Sequence, residues 1–596
     1  RVQQHKVEGQ SIPADTTLHT WKQAITSNRS TGTGRTQTHV STKVLHDEEH
    51  ESIRSAYAPV ADPDRRLKTA WERKFYAPVT ITELDRMLKS KKGDSAPGPT
   101  ELQYIHLRKA PACTKRMLCA YVQAMLLTEV KWDSRAVHST LVFIRKKAGV
   151  TLRSFRPITL QQALTKVVTG IMAKRIASVV ESGSGALDVL QQGFVPGGSV
   201  GTPIQILNGI LEHAKAERAK KNGRGEVHVC FYDFSNAYTT VPPWAVEVAM
   251  RRLHMPEAVI SRMVTLMQEQ RAAVRTSKGM TADFSLGGGL PQGDPCSPIL
   301  WAIVMDPLMT RMRELQRKDI GYTLSWKEEC CHFQTQRHRS ETAAKVEAQG
   351  GAQVRIDPET ESAHWSRKQV MNPLSRTRRA PERVARAAAI KDREAPEQRT
   401  LTATALAFAD DLCGMASSST HMQKISYEIG LLSSFVSLKM EPTKVVYLAC
   451  DAYGKPISTQ LQAPALQARK VGPGYTFSPK VVIANALATG SAELHSPENT
   501  ARYLGVHFNL ALDWTVTVGH LKAKMANLMA NLRHAGASYL AIDATIQSVV
   551  ASRTAFAAQV AVIPRTVMTT WEGRLAQSIL LDLELSTDAA WSEKRH

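Results

Sequence analysis

The hydrophobic pattern of the chain predicts short buried strands connected by helices. Strand-like runs of mostly apolar and β-branched residues occur at 139–145 and 227–232, and apolar residues recur at helical spacing over residues 165–181. Ser297 and Pro298 are typical of a helix start, with serine as the N-cap and proline in the first turn, and an apolar helix is expected to follow them. The pattern therefore predicts an α+β fold.

The same pattern divides the chain into segments of different character. Residues 1–70 are polar and rich in Ser, Thr, His and Gln, which predicts a flexible leader. Residues 311–400 have few large apolar side chains, so they predict a basic insertion of low order. The basic cluster of this insertion consists of Arg376, Arg378, Arg379, Arg383 and Arg386. The globular segments are 71–225, 226–310, 401–512 and 513–596, the last of them almost continuously helical in its spacing.

Composition and charge narrow the class of protein. The 596 residues carry 76 Lys and Arg against 54 Asp and Glu, a formal net charge of +22. A surplus of that size favours a polyanionic partner, nucleic acid above all. No apolar run approaches the roughly 18 residues of a membrane span, so no membrane partner is expected. The eight cysteines are scattered and form no CxxC pair, which argues against a disulfide scaffold.

The most informative local feature is the pair Asp410 and Asp411, which stands between two short apolar runs. In a plain strand the two side chains would point to opposite faces and one carboxylate would enter the core. A hairpin with the pair at its tip avoids this. Adjacent carboxylates repel each other unless a cation lies between them, and Mg²⁺ binds carboxylates together with substrate phosphates. A polar turn between two strands is the alternative interpretation.

Two further segments extend this candidate site. Asp233 ends the apolar run 227–232, where a carboxylate is well placed to join a site, although a helix N-cap would also explain it. Three such carboxylates can hold two metal ions about 3.5–4 Å apart, the arrangement that serves in-line phosphoryl transfer. The segment 287–298 contains Gly-Gly-Gly-Leu-Pro-Gln-Gly-Asp, and its glycines let a backbone approach a ligand closely. An ordinary loop is the alternative for this segment.

Taken in order, these segments resemble the motifs of reverse transcriptases, and the non-LTR retrotransposon type is the most similar. The strand that ends in Asp233, the Leu-Pro-Gln-Gly-Asp-Pro loop and the Phe-Ala-Asp-Asp sequence correspond to the central motifs. Glu441 is a departure, because the family usually has Asn there. Flanking segments extend the resemblance over about residues 80–590, namely 97–99, 155–158, 192–199, 440–444 and 503–506.

The resemblance implies which residues carry out the chemistry. Asp233, Asp410 and Asp411 would be catalytic and would bind two Mg²⁺ ions, with Mn²⁺ as a substitute. Phe234 would add a backbone carbonyl to the metal site. Lys444 matches the lysine that is proposed to protonate the leaving pyrophosphate.

The resemblance also implies where a deoxynucleoside triphosphate binds. Lys146 and Arg156 match residues that grip the triphosphate, as a point charge and a guanidinium fork. Gln292 and Gly293 match the loop that packs on the incoming nucleotide and the template base. Tyr238 matches the aromatic residue that lies under the sugar and excludes a 2′-hydroxyl.

As a whole, the resemblance implies a right-hand polymerase with fingers, palm and thumb. Residues 71–225 would form the fingers and their junction with the palm. The palm, with an antiparallel sheet, would consist of residues 226–310 and 401–512, separated by the basic insertion 311–400. Residues 513–596 would form a helical thumb.

The implied function is that of an RNA-directed DNA polymerase of a non-LTR retroelement. Its partners would be an RNA template, a DNA primer and deoxynucleoside triphosphates, and the turn Tyr503, Leu504 and Gly505 would brace the primer end. An endonuclease domain or partner would lie outside this sequence, and the nucleus is the expected location. Two alternatives stay open: a catalytically silent, polymerase-derived RNA-binding protein of the maturase type, and an RNA-dependent RNA polymerase, against which Tyr238 argues.

Overall fold

The computed structural model describes most of the chain. The described residues are 51–128, 132–145, 154–182, 185–220, 225–327, 398–468, 475–489, 499–534, 552–561 and 563. The predictions for Lys146 and for the basic cluster between Arg376 and Arg386 lie outside them. The chain divides into two compact units, one formed by Arg1–Tyr322 with Thr402–His596 and the other by Thr323–Leu401.

The described part of the first unit opens with helices that pack on a common core. They are α1 (Glu51–Tyr57), α2 (Arg66–Tyr76), α3 (Ile81–Lys89), α4 (Tyr104–Arg108) and α5 (Ala112–Leu127). Ile53 and Ala56 of α1 and Leu67 of α2 are buried in that core. The prediction of a flexible leader is therefore wrong for residues 51–70, because these helices bury apolar side chains that solvent would otherwise surround.

Strands and helices then alternate. In chain order they are β1 (His138–Arg145), β2 (Phe155–Gln161), α6 (Ala163–Glu181), α7 (Gly201–Arg218), β3 (Val227–Tyr232), α8 (Ala237–Thr240), α9 (Pro243–Arg252), α10 (Glu257–Glu269), β4 (Arg271–Thr276), β5 (Gly279–Met280), β6 (Phe284–Ser285) and α11 (Ser297–Arg317). The strands predicted at 139–145 and 227–232 and the helix predicted at 165–181 are confirmed within two residues at each end.

The remaining elements are richer in strands. In chain order they are β7 (Tyr322–Lys327), β8 (Gln398–Ala403), β9 (Ala405–Phe408), β10 (Asp411–Ala416), α12 (Ser419–Phe435), β11 (Val446–Cys450), β12 (Leu461–Ala468), β13 (Tyr475–Ile483), α13 (Ala486–Thr489), β14 (Ala501–Tyr503), β15 (Val506–Phe508), α14 (Thr515–His534) and α15 (Ser552–Ala558). The α+β class is confirmed. Residues 564–596 of the predicted helical C-terminal segment lie outside the described residues.

Two sheets carry the segments that the sequence singled out. The first has the order β2-β1-β4-β5, with β6 also paired to β4, and β1 runs parallel to β4 and antiparallel to β2. The second has the order β11-β3-β10-β9 and is antiparallel throughout. Strand β3 is central and buried along its whole length, which explains why it is an unbroken apolar run apart from His228. His228 is accommodated because its ring bonds to Tyr447 Oη and to Glu226.

Helix α11 forms the centre of the core, and it differs from its prediction at both ends. Its N-cap is Cys296, so Ser297 is the first helical residue and not the cap, and the Ser297 hydroxyl has no hydrogen-bond partner among the described residues. At the other end the helix continues to Arg317, and Met312 and Leu315 are buried. The predicted insertion from residue 311 therefore starts too early.

The second unit begins at Thr323, not at residue 311. Strands β7 and β8, which pair with each other, lie at the two ends of this unit, and residues 328–397 between them lie outside the described residues. In the part of the chain that the structure describes, no helix is both long and apolar enough to cross a membrane.

Candidate active site

The antiparallel sheet brings the predicted aspartates to one edge. Leu412 pairs with Tyr232 across β10 and β3. Asp411 precedes Leu412 and Asp233 follows Tyr232, so the two carboxylates lie at the same end of neighbouring antiparallel strands, although 178 positions separate them in the chain. Asp410 stands in the two-residue turn between β9 and β10, which is closed by the pair Asp411 and Phe408. The predicted hairpin with the aspartate pair at its tip is thus confirmed.

The turn that presents Asp410 is held by a glutamine that the sequence did not single out. Ala409, the first residue of the turn, has φ 58°, a left-handed conformation that costs a residue with a side chain about 1 kcal/mol. Gln191 is buried, and its Oε1 accepts hydrogen bonds from the backbone N–H of Ala409 at 3.0 Å and of Gly193 at 2.8 Å. Its Nε2 donates to the Ala409 carbonyl at 3.3 Å. Gln191 therefore satisfies both backbone groups of the strained residue.

Gly193 packs directly against the backbone of the same turn, with no room for a side chain. A Cβ at this position would lie 2.1 Å from the backbone nitrogen of Ala409, a separation that real atoms do not adopt. Backbone hydrogen bonds on the preceding residues, from Gln192 N–H to the Ala407 carbonyl and from Ala407 N–H to the Leu190 carbonyl, fix the register. The segment 190–193 is consequently a backbone support for the aspartate turn.

The carboxylates at this edge interact electrostatically. The pKa of Asp411 is raised to about 6. Burial is the largest cause, and the neighbouring Asp410 and Asp233 also raise this pKa, whereas Arg502 lowers it. A carboxyl whose pKa is raised by two like charges indicates a pocket in which a bound cation would be stabilised. Arg502, on β14, was not named from the sequence as part of the site.

Lys444 is paired with Asp233. Its Nζ lies 2.8 Å from Asp233 Oδ2, and both side chains remain partly exposed. Glu441 supports this arrangement, because its backbone N–H donates to the Asp233 carbonyl and its carboxylate accepts hydrogen bonds from Ser235 Oγ and Thr443 Oγ1. The departure from the family at Glu441 is thus accommodated by local hydrogen bonds.

The donor set suits a hard cation, but the carboxylates are not arranged around a common centre. Among the described residues, no three His, Cys, Asp or Glu side chains lie close enough together to hold a metal ion as they stand. Asp233 is paired with the ammonium group of Lys444. Coordination of Mg²⁺ by Asp233, Asp410 and Asp411, with the Phe234 carbonyl, therefore stays a prediction. Phe234 itself is buried and forms a bridge with Met440.

Tyr238 lies near Asp410, and its hydroxyl forms no hydrogen bond among the described residues. Its ring stacks on the buried Trp301 of α11, with ring centres 4.8 Å apart. Its Oη has no hydrogen-bond partner among the described residues. The pKa of Tyr238 is raised, first by burial and then by the charge of Asp410. A buried phenol oxygen without a partner is unusual, and a bound ligand is one way to satisfy it.

An exposed aromatic ring lies next to Tyr238. Phe194 is 44% exposed and has φ 63°, an unusual conformation for a bulky residue and one that clusters at functional sites. Its ring meets Tyr238 edge-on at 6.3 Å and Phe408 at 6.5 Å. The sequence placed Phe194 in a motif but gave no sign of its conformation.

The glycine-rich loop is attached to the edge of the first sheet. Thr159 N–H on β2 donates to the Gln292 carbonyl at 2.7 Å, and a Cβ on Gly293 would lie 2.7 Å from the Thr159 carbonyl oxygen. Gly293 also has φ 122°, which only glycine adopts freely. Arg156 is exposed on the same strand. The loop that contains Gln292 and Gly293 therefore contacts the strand that carries Arg156, whereas Lys146 lies outside the described residues.

Asp294, within the same loop, holds the start of α11. It is buried, and its carboxylate accepts hydrogen bonds from the Cys296 N–H at 2.7 Å and from Thr169 Oγ1 at 2.8 Å. Burial raises the pKa of Asp294, while these bonds and the nearby Lys166 lower it. Asp294 thus satisfies backbone N–H groups at the start of α11, which Ser297 does not do as a side-chain cap.

The predicted primer-binding turn is the hairpin of β14 and β15. Leu504 and Gly505, at φ 49° and 90°, form its tip, and positive φ at both positions is typical of two-residue hairpin turns. Tyr503 is buried, packs on Phe231 with ring centres 5.4 Å apart, and donates a hydrogen bond to the Leu406 carbonyl. Its side chain therefore anchors the turn, and only Leu504 and Gly505 remain to meet a ligand.

Comparison with known proteins agrees with this geometry. The family model for reverse transcriptase (RNA-dependent DNA polymerase) matches residues 144–333. The Retrovirus-related Pol polyprotein from type-2 retrotransposable element R2DM of Drosophila melanogaster is 23% identical over 260 residues, which are 43% of this chain and 22% of that protein.

Two further relatives are Pol polyproteins from R2 elements. That of Nasonia vitripennis is 22% identical over 243 residues, which are 41% of this chain and 22% of the relative. That of Popillia japonica is 26% identical over 241 residues, which are 40% of this chain and 31% of the relative. The alignments span less than a third of the length of these polyproteins. The chain therefore contains a reverse transcriptase domain and is related to the Pol polyproteins of R2 retrotransposable elements.

Proposed function

We propose that this chain is an RNA-directed DNA polymerase of a non-LTR retroelement, which adds deoxynucleotides to the 3′-hydroxyl of a primer. The observation that carries the proposal is the meeting of Asp233, Asp410 and Asp411 at one edge of an antiparallel sheet, where they act on one another electrostatically. The reverse transcriptase match and the formal charge of +22 support it. In this proposal the sheet β11-β3-β10-β9 is the palm, β1 and β2 with the N-terminal helices belong to the fingers, and α14 and α15 belong to the thumb.

The aspartates would hold two Mg²⁺ ions, which supply a lowered pKa for the attacking hydroxyl and charge neutralisation for the pyrophosphate. The protein's own part is mostly positioning and charge, as in other phosphoryl transfers. Gln191 and Gly193 fix the turn that carries Asp410, and the pair of β3 with β10 fixes Asp411 beside Asp233. The raised pKa of Asp411 means that a bound cation must also displace a proton from this pocket below about pH 6.

Lys444 has a defined starting position in this proposal. Its ammonium neutralises Asp233 at 2.8 Å, and it remains partly exposed, so it is able to exchange this partner for a phosphate oxygen. An ammonium that moves from a carboxylate to the triphosphate is placed to donate a proton to the leaving group. Arg156 and the Gln292–Gly293 loop would bind the triphosphate and the base of the incoming nucleotide.

In this proposal, Tyr238 distinguishes deoxyribonucleotides from ribonucleotides. We expect Tyr238→Val to raise the use of ribonucleotides, because it removes the ring that is stacked on Trp301 beside Asp410. The preference for dCTP over CTP, measured as a ratio of kcat/KM values, should fall by about 10- to 100-fold, the usual worth of a steric discrimination. Tyr238→Phe is the matched control and should keep the preference, because it retains the ring. An unchanged ratio in Tyr238→Val would contradict this role.

The proposed function is tested directly by primer extension. The purified chain should incorporate dTTP on a poly(rA) template with an oligo(dT) primer when Mg²⁺ is present, and Mn²⁺ should replace it. Omission of the primer, the template or the divalent ion should each abolish the product. Tight binding of the RNA without incorporation in either ion would instead indicate a silent RNA-binding protein, and preferential incorporation of UTP would indicate an RNA polymerase.

A further inference from the structure

A cluster of basic side chains lies at the junction between the β14–β15 hairpin and α14. Arg502 and His507 are paired across the hairpin, so their side chains project from the same face. The His507 ring stacks on that of His520, with ring centres 4.3 Å apart and planes within 9°. Lys524 follows His520 by four positions on α14, which places it on the same helical face. We call these four residues the stacked-histidine cluster.

Backbone hydrogen bonds hold the cluster in place, and Arg502 acts on the carboxylate of Asp411 without forming an ion pair with it. Thr517 Oγ1 accepts a hydrogen bond from the His507 N–H and donates one to the His507 carbonyl, so the hairpin is tied to the first turn of α14. Among the described residues, none of the four side chains forms an ion pair with a carboxylate. The carboxylate of Asp513, which precedes α14, accepts hydrogen bonds from Thr515 instead.

The protonation of His507 reflects these surroundings. The pKa of His507 is lowered to about 4. Burial is the largest cause, and the neighbouring His520, Arg502 and Lys524 also lower this pKa. These are the charged groups that act on His507 from α14 and from the neighbouring strand among the described residues. An anion bound between these groups would raise the pKa of His507. Binding of an anion and uptake of a proton by His507 are therefore coupled.

The position of the cluster indicates which anion it would bind. It adjoins the turn Leu504–Gly505, and Arg502 is close enough to Asp411 to lower the pKa of that carboxyl. Phosphodiester groups that lead to the aspartate pocket would therefore pass beside it. A stack of two imidazoles with an arginine and a lysine offers several N–H donors to one phosphate.

We infer that the stacked-histidine cluster is a proton-linked binding site for a phosphodiester of the primer strand. The inference rests on the proposed function, since it takes the primer end to lie at the aspartate pocket. Arg502 and Lys524 keep their charge at every pH of interest, whereas His507 gains a charge only when the phosphate is bound. Affinity for a primer–template should therefore increase as the pH falls from 7.5 to 5.5.

Equilibrium binding of a fluorescent primer–template, at constant ionic strength and without nucleotides, tests this inference. For the unmodified chain, the Kd should fall about tenfold between pH 7.5 and 5.5, the value expected when the depressed pKa of His507 returns on phosphate binding to about the ordinary 6.5 of histidine. His507→Gln should lose most of this change, because it removes the group that takes up the proton. His507→Lys should bind tightly with little dependence on pH, because its charge does not titrate in this range.

Controls separate this site from other histidines and from general charge. His106→Gln changes an exposed histidine of α4 and should keep the tenfold effect, and Lys522→Gln on α14 should weaken binding equally at both pH values. A neutral methylphosphonate in place of single primer phosphates near the 3′ end should remove the pH effect at one position. If His507→Gln keeps the full pH effect, or if neutral linkages in the template remove it, the inference is overturned. Absence of any duplex binding would instead contradict the proposed function.

Discussion

Asp410→Asn is expected to lower dTTP incorporation on poly(rA)·oligo(dT) by at least about 10³-fold, because several kcal/mol of charge stabilisation at the reacting phosphate depend on the carboxylates. Asp410 is the residue for this test because it stands in the turn, beside Tyr238, and is one of the two charges that raise the pKa of Asp411. Single-turnover rates at saturating primer–template measure the effect on the chemical step.

The same variant should leave binding and folding in place. Asp410 is one of the two charges that raise the pKa of Asp411, so replacing its carboxylate by an amide relieves repulsion; the free energy of unfolding should not fall, and the Kd for primer–template should change by less than about threefold. Asp64→Asn, at an exposed position before α2, is the matched control and should retain full activity. An Asp410→Asn protein that incorporates dTTP at a rate close to that of the unmodified chain would remove the catalytic assignment of this pocket.

Strand β3 and the hairpin that carries the aspartate pair were predictable from the sequence because they are encoded locally. Strand β3 is an apolar run, interrupted only by His228, that Asp233 directly follows, and the aspartate pair could avoid burying a charge only at a hairpin tip. The close fit of Gly293 to Thr159 has the same origin, since a glycine in a loop indicates either a positive φ or a close approach, and here it has both. These features depend on residue types at fixed short spacings.

The ends of the helical regions were mispredicted although the sequence carried the necessary signal. Met312 and Leu315 continue the helical spacing of Met309, so α11 could have been extended past residue 311. Ile53 and Tyr57 are four positions apart and form one buried face of α1. In both cases a high local content of charged residues concealed a narrow apolar face, which is all that a helix at the edge of a core needs.

The supporting residues of the site could not be predicted, because they act through the tertiary fold. Gln191 and Gln192 are identical neighbours in the sequence, and only the register of segment 190–193 against β9 decides which of them is buried under the aspartate turn. Arg502 likewise follows from the packing of the β14–β15 hairpin near Asp411. This dependence on register makes the glutamine pair a stringent test of the geometry.

Gln191→Leu should disable the site without touching any group that binds substrate. The change leaves the Ala409 N–H, the Ala409 carbonyl and the Gly193 N–H without their partner, and each buried group left unsatisfied costs about 1–3 kcal/mol. We expect the free energy of unfolding to fall by roughly 2–4 kcal/mol, since part of this cost is relieved by local movement. Incorporation should fall by about 10²-fold or more, because a shift of Asp410 by 1 Å is sufficient for such a loss.

The effect of Gln191→Leu must be separated from simple loss of fold, and the neighbouring glutamine allows this. Gln192 donates to the Val189 carbonyl and accepts from the Ser199 N–H, and it has no side-chain bond to the turn. Gln192→Leu should therefore lower incorporation by less than about threefold. Below the unfolding temperature of both variants, Gln191→Leu alone should need a higher Mg²⁺ concentration for half-maximal rate, because its aspartate turn is no longer held.

Gln191→Glu keeps the acceptor oxygen for both N–H groups and should recover part of the rate. Equal rates and equal Mg²⁺ dependence for Gln191→Leu and Gln192→Leu would exclude a positioning role for Gln191.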